Sequence, residues 1–88
     1  MSCEKHNKTI DKYEGTLQEL AEDIGDLHYE ELAKFLHHLN IKIYSDGAKD
    51  FGRGRKKLSH ELTKASTSLS VTSRHIREAW NISKPYMD

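Results

Sequence analysis

The chain has 88 residues, enough for one small domain with a modest core. Its residues are 35% hydrophobic and 32% charged and its mean hydropathy is −0.82, so no stretch approaches the roughly 20 consecutive apolar residues of a bilayer-spanning helix. The single cysteine, Cys3, excludes an intramolecular disulfide, and the polar N-terminus lacks the apolar core of a signal peptide, which together favour a cytoplasmic protein without membrane association.

Charge is balanced overall but divided along the chain. The 14 basic and 14 acidic side chains give a formal net charge of zero. Residues 1–31 nevertheless carry nine acids against three bases, whereas residues 32–88 carry 11 bases against five acids. This division is typical of two ends that pair within one fold, of self-association, or of a basic face that meets phosphates. The alternative is that the charges only solvate the surface.

The sequence favours helices throughout. Proline is absent until Pro85 and valine occurs once, at Val71, so little obstructs helices and little favours strands. We predict an all-α fold, a compact bundle or array of about four short helices. Residues 1–8 are predicted to form a flexible N-terminal tail, and residues 9–88 a single helical domain.

The first predicted helix begins near Ile10 and carries a narrow apolar stripe. Its apolar residues recur at alternating spacings of three and four, the pattern of a helix that packs against another helix at a shallow angle. A chain this small has little core of its own, so the stripe predicts self-association, with a homodimer or a protein partner as the outcome. The residues assigned to it are Ile10, Tyr13, Leu17, Leu20 and Ile24.

The second predicted helix starts at a cap on Asp26. Asp46-Gly47 is a plausible stop for it, although the helix can also continue to Phe51. A short strand over residues 41–44 is the alternative, because apolar residues alternate there before an Asp-Gly turn signal. Residues 52–57 combine two glycines with four basic side chains and are predicted to be an exposed linker.

Two further helices are predicted beyond the linker, from Leu58 to Leu69 and from about Thr72 to Asn81. Six of the eight residues from Ser66 to Ser73 are serine or threonine, which compete with the backbone for hydrogen bonds. The sequence therefore predicts a break near Ser70.

The segment from Lys64 to Trp80 resembles a helix-turn-helix, the DNA-binding motif of a short helix, a tight turn and a recognition helix. The matching positions are Ser66, Leu69, Val71 and Ile76, whereas Ser70 stands where the motif usually has glycine. The resemblance implies that Thr72, Ser73, Arg74 and Arg77 face the major groove of DNA. Sequence-independent phosphate contacts would come from Arg53, Arg55, Lys56 and Lys57.

No catalytic or metal site is predicted. His75 and Glu78 lie three residues apart on a helix, but two ligands are fewer than a metal centre requires. Cys3 has no fixed base beside it, and no glycine-rich phosphate loop is present. We therefore expect a small non-enzymatic protein, without cofactor or small-molecule substrate, that acts by protein–protein recognition. Binding of nucleic acid is the alternative.

Overall fold

Three helices build the chain. The computed structural model describes residues 6–86, which form α1 (Leu17–Gly25), α2 (Tyr29–Gly52) and α3 (Lys56–Ser83), followed by a short 3₁₀ turn, Lys84–Tyr86. No strand occurs in this range, which confirms the all-α prediction, while the count of four helices is wrong. The helices form a long antiparallel hairpin of α2 and α3 rather than a compact bundle. Most of the predicted tail, residues 1–5, lies outside the described part of the chain.

The first helix begins seven residues later than predicted, at a capping box. The Thr16 hydroxyl accepts a hydrogen bond from the Glu19 backbone N–H (3.0 Å), and the Glu19 carboxylate accepts one from the Thr16 N–H (2.7 Å). Ile10 and Tyr13 precede this cap in a turn, so they are not part of a helical stripe. Instead the Tyr13 hydroxyl donates to Asp23 Oδ2 at 2.7 Å, and this hydrogen bond raises the pKa of Tyr13.

The second helix extends past both of its predicted ends, Asp46-Gly47 and Phe51. It begins after His28, whose Nδ1 accepts from the Glu30 backbone N–H (3.2 Å), so the N-cap is His28 and not Asp26. The helix continues through Gly47 and ends at Gly52. The extension towards Phe51 is therefore confirmed, and the strand alternative is wrong.

A tight turn joins α2 to α3. Gly54 has a φ of +82°, and the N–H groups of Gly54 and Arg55 donate to the carbonyls of Phe51 (3.0 Å) and Asp50 (2.9 Å), the bonding pattern of a Schellman motif. The buried Asp50 carboxylate also accepts from Arg55 Nη1 at 3.2 Å. The predicted linker is thus shorter than residues 52–57, because both of its ends are helical.

Replacing Gly54 by alanine is expected to lower the free energy of unfolding by about 1 kcal/mol, because a side chain at positive φ meets the backbone. Urea denaturation followed by circular dichroism measures the loss. Gly52→Ala is the matched control, since Gly52 is helical and a Cβ there meets nothing within 4 Å. It should be neutral or stabilising, and equal losses in the two variants would contradict the assignment.

The third helix runs unbroken through the serine- and threonine-rich stretch. Hydroxyls in this stretch bond to carbonyls one turn earlier, Thr67 to Thr63 (3.0 Å) and Thr72 to Ser68 (2.9 Å). They are satisfied inside the helix and do not compete with it. The predicted break near Ser70, and with it the turn of the helix-turn-helix resemblance, is therefore wrong.

A seam of small or polar residues spaced seven apart joins the two long helices. On α2 the seam comprises Ala33, Asn40 and Gly47, and on α3 it comprises Ser73, Ser66 and Ser59. The Ser66 hydroxyl bonds to the Asn40 side chain, and the Ser73 hydroxyl donates to the Ala33 carbonyl at 2.9 Å. Small side chains at every seventh position let the two backbones approach closely. Larger residues such as Leu36 and Leu62 lie beside the seam and stay half-buried.

The folded chain is thin. Its principal extents are 49 × 29 × 14 Å. Among the described residues, Ala33 is the only buried hydrophobic one, and no large side chain is fully buried. Both faces of the hairpin therefore retain exposed apolar side chains.

Candidate functional site

An open groove follows one face of the hairpin. Three neighbouring hollows lie between α2 and α3, the largest of about 800 Å³, and each shares lining residues with the next. The hollow at the Arg74 end shares Tyr44 with the middle hollow. The middle hollow shares Phe51 and Thr63 with the largest hollow, at the Lys56 end. The hollows therefore form one groove, which extends along α3 from Lys56 to Arg74 over about 27 Å at 1.5 Å per residue.

The wall of the groove on α2 is apolar. Its apolar residues are Ile41, Tyr44, Ala48 and Phe51, at spacings of three, four and three, and Asn40 lines the groove beside them. Ile41 is 51% exposed, and Tyr44 and Phe51 are each 59% exposed. These side chains turn away from the seam, so the hairpin itself does not cover them.

The wall on α3 is hydroxyl-rich and basic. Thr63, Thr67 and Ser70 line its middle, with Arg74 at one end and Lys56 and Lys57 at the other, where one acid, Glu61, also lines it. The Lys56 ammonium lies 5.9 Å from the centroid of the Phe51 ring, within the range of a cation–π contact. The groove thus combines apolar surface on one side with hydrogen-bond donors and positive charge on the other.

Ion pairs between described residues join only near neighbours. Examples are Lys64 with Glu61 (3.3 Å) and Lys42 with Asp46 (2.7 Å). The hydrogen bonds from Lys42 hold the pKa of Asp46 below its ordinary value, with smaller contributions from the charges of Lys49 and His6. None of these pairs joins α1 to the groove.

Of the eight residues predicted to contact DNA, three lie in the groove. Lys56, Lys57 and Arg74 line the groove, and Arg77 is exposed one turn beyond Arg74. Arg53 and Arg55 lie at the turn beside Asp50.

Two of the predicted DNA contacts need correction. Ser73 is buried in the seam with its hydroxyl on the Ala33 carbonyl, so it does not face outward. The Thr72 hydroxyl donates within its own helix. Neither residue stands at the start of a recognition helix, because α3 is continuous there.

The residues predicted to mediate self-association lie outside the groove. Ile10 and Leu17 are 50% and 66% exposed, whereas Leu20 and Ile24 are half-buried on α1. Tyr13 is held against Asp23. Their role in self-association stays a prediction.

Sequence reasoning missed the apolar wall, although a signal was present. The residues 41, 44, 48 and 51 form an apolar stripe on α2 at helical spacing. Reading residues 41–44 as a possible strand and Gly47 as a possible helix end divided that stripe. A helix predicted to continue to Gly52 would have placed all four apolar residues on one helical face.

Comparison of the chain with protein-family models, with curated proteins and with solved structures gives no match. Within residues 6–86, His, Cys, Asp and Glu side chains form no cluster of three that could hold a metal ion. In the same range, no helix has both the length and the apolar character needed to cross a membrane.

Proposed function

We propose that this protein is a non-enzymatic protein-interaction module that binds an amphipathic helix with an acidic stripe along the groove. The observation that supports this proposal is the pairing of unlike walls, with Ile41, Tyr44 and Phe51 exposed on one side and Arg74 and Lys56 on the other. Large aromatic side chains at the surface are typical of interaction sites.

A helix matches the groove better than an added β-strand does. A peptide that binds as a β-strand needs an open sheet edge, and the described residues contain none. A bound helix of about 18 residues would span the 27 Å groove, with apolar residues three and four apart against the α2 wall. Acidic residues on its adjacent stripe would meet Arg74 and the two lysines at the turn.

A designed acidic amphipathic helix of about 18 residues tests this function. We expect it to shift the amide resonances of Tyr44, Phe51 and Val71 in NMR titration, and a twin peptide with lysines for the acids to shift none. The double variant Tyr44→Ser, Phe51→Ser should weaken binding by at least about tenfold. Ile82→Ser is the matched control, because Ile82 is 68% exposed on α3 but does not line the groove.

The DNA-binding alternative stays a prediction, supported by the position of Arg74, Lys56 and Lys57 in one groove. Mixed duplex DNA is therefore included in the same titration at 50 and 200 mM salt. Binding that is lost on replacing Arg74 and Arg77 by alanine, together with no response to the acidic peptide, would overturn the protein-interaction proposal in favour of DNA. No response to either ligand would contradict both functions.

A further inference from the structure

A polar pair lies on the floor of the groove, beside its apolar wall. Asn40 and Ser66 both line the hollow that also contains Ile41 and Tyr44. Ser66 lies ten residues after Lys56, which is about 15 Å along α3, so the pair is near the middle of the groove. A helix bound along the groove therefore covers the pair with its central residues.

The hydrogen-bonding capacity of Asn40 is only partly used. Its carboxamide oxygen, Oδ1, accepts a hydrogen bond from the Ser66 hydroxyl. Among residues 6–86, the Asn40 Nδ2 group has no acceptor for its two N–H donors, and Oδ1 keeps a second lone pair. Asn40 is half-buried and borders the open groove, so water can hydrogen-bond to these groups in the free chain.

A bound helix makes this unused capacity costly. The helix displaces water from Asn40, and an apolar residue placed over it leaves the Nδ2 donors buried without acceptors. A carboxylate would accept from Nδ2, but its charge would be buried and its oxygens would repel the remaining lone pair of Oδ1. A second carboxamide offers one acceptor and one donor, so it satisfies Nδ2 and Oδ1 together. Buried asparagine specifies the register of coiled coils in a similar way.

We propose that the partner helix carries one glutamine or asparagine at the centre of its apolar stripe, and that Asn40 selects it. This inference rests on the proposed function of the groove. The exposed side chains of Ile41 and Tyr44 supply apolar contact to any amphipathic helix, whereas Asn40 distinguishes one helix from another. It also sets the register, because a helix shifted by one turn brings its carboxamide against the apolar wall instead.

Matched pairs of designed peptides test this selection. The acidic amphipathic helix is prepared with either glutamine or methionine at each central position of its apolar stripe in turn, since methionine matches glutamine in length but has no amide. The preference is the Kd of the methionine peptide divided by that of the glutamine peptide, measured by calorimetry. We expect one central position at which Asn40→Ala lowers this preference at least about tenfold. Alanine fits the seam, because Ala33 occupies the equivalent position one heptad earlier.

Asn81→Ala is the matched control. Asn81 is exposed on α3, donates to Glu78 at 3.3 Å and does not line the groove, so its replacement should leave the preference unchanged. A second measurement uses the unmodified chain and is independent of the stability of any variant. The side-chain amide resonances of Asn40 should shift on titration with the glutamine peptide, and much less with its methionine twin.

Two results would overturn this selection by Asn40. One is a preference that Asn40→Ala leaves unchanged at every central position, and the other is an Asn40 amide signal that responds alike to both peptides of each pair. If the peptides still bind the groove in that case, the proposed function stands without a required carboxamide. If no peptide of either kind binds, both proposals fall.

Discussion

Replacement of Gly47 by leucine is expected to unfold the hairpin. A Cβ at this position would lie 3.3 Å from Leu62 Cβ and 3.5 Å from the Ser59 carbonyl oxygen, so the remaining atoms of a leucine side chain have no space between the helices. Forcing them in costs about 3 kcal/mol in close-packed interiors. A chain with so small a core has little stability to lose, and we expect most of its helical circular dichroism at 25 °C to disappear.

Gly52→Leu is the matched control for this prediction. Gly52 ends the same helix, and a Cβ there meets nothing within 4 Å, so the same exchange should leave the spectrum and the urea midpoint almost unchanged. A Gly47→Leu variant as stable as Gly52→Leu would show that the two helices do not pack through this seam.

Removing the single tryptophan is expected to have the second largest effect. Trp80 is half-buried, and its ring packs against the His28 ring, tilted by 58°, where α1 joins α2, so it fixes the open end of the hairpin. Trp80→Ala should lower the free energy of unfolding by about 2 kcal/mol, less than for a fully buried tryptophan. Urea denaturation followed by circular dichroism measures this loss.

His28→Asn separates the ring contact from the helix cap. Asparagine is a favourable N-cap and can accept a hydrogen bond from the Glu30 N–H in place of the imidazole, while the ring contact with Trp80 is lost. We expect about half of the loss found for Trp80→Ala. A Trp80→Ala variant within about 0.5 kcal/mol of the unmodified chain would contradict the role given to this contact.

The predictions from sequence were correct where helix formation depends on local residue preference. The scarcity of proline and valine indicated a chain with helices and no strands. The longer of the two predicted ends of α2, at Phe51, is within one residue of its observed end at Gly52. They were wrong at several boundaries, two of which have the largest consequence. The apolar spacing through Ile10 was given more weight than the capping signal of Thr16 and Glu19, and the hydroxyl-rich stretch was expected to break a helix that it does not break.

The second error has a physical reason that concerns tertiary structure. Ser59, Ser66 and Ser73 are spaced as helix-packing residues are, but helix preference alone treats serine as a turn former. Their small size becomes an advantage only when another backbone approaches. The groove was hidden for the same reason, because Ile41 and Tyr44 form one of its walls only once α3 is placed beside α2.

The hydrogen bond between Ser66 and Asn40 has a consequence for any ligand of the groove. Sliding one helix along the other by three or four residues would break this bond and the bond from Ser73 to Ala33 at the same step, and would bring large side chains against the seam. A slide by a full heptad would bring another serine to Asn40, but the tight turn at Gly54 holds the two helices in their register. The two helices accordingly have a single register. A helix that binds in the groove therefore meets two walls whose residues keep fixed positions relative to each other.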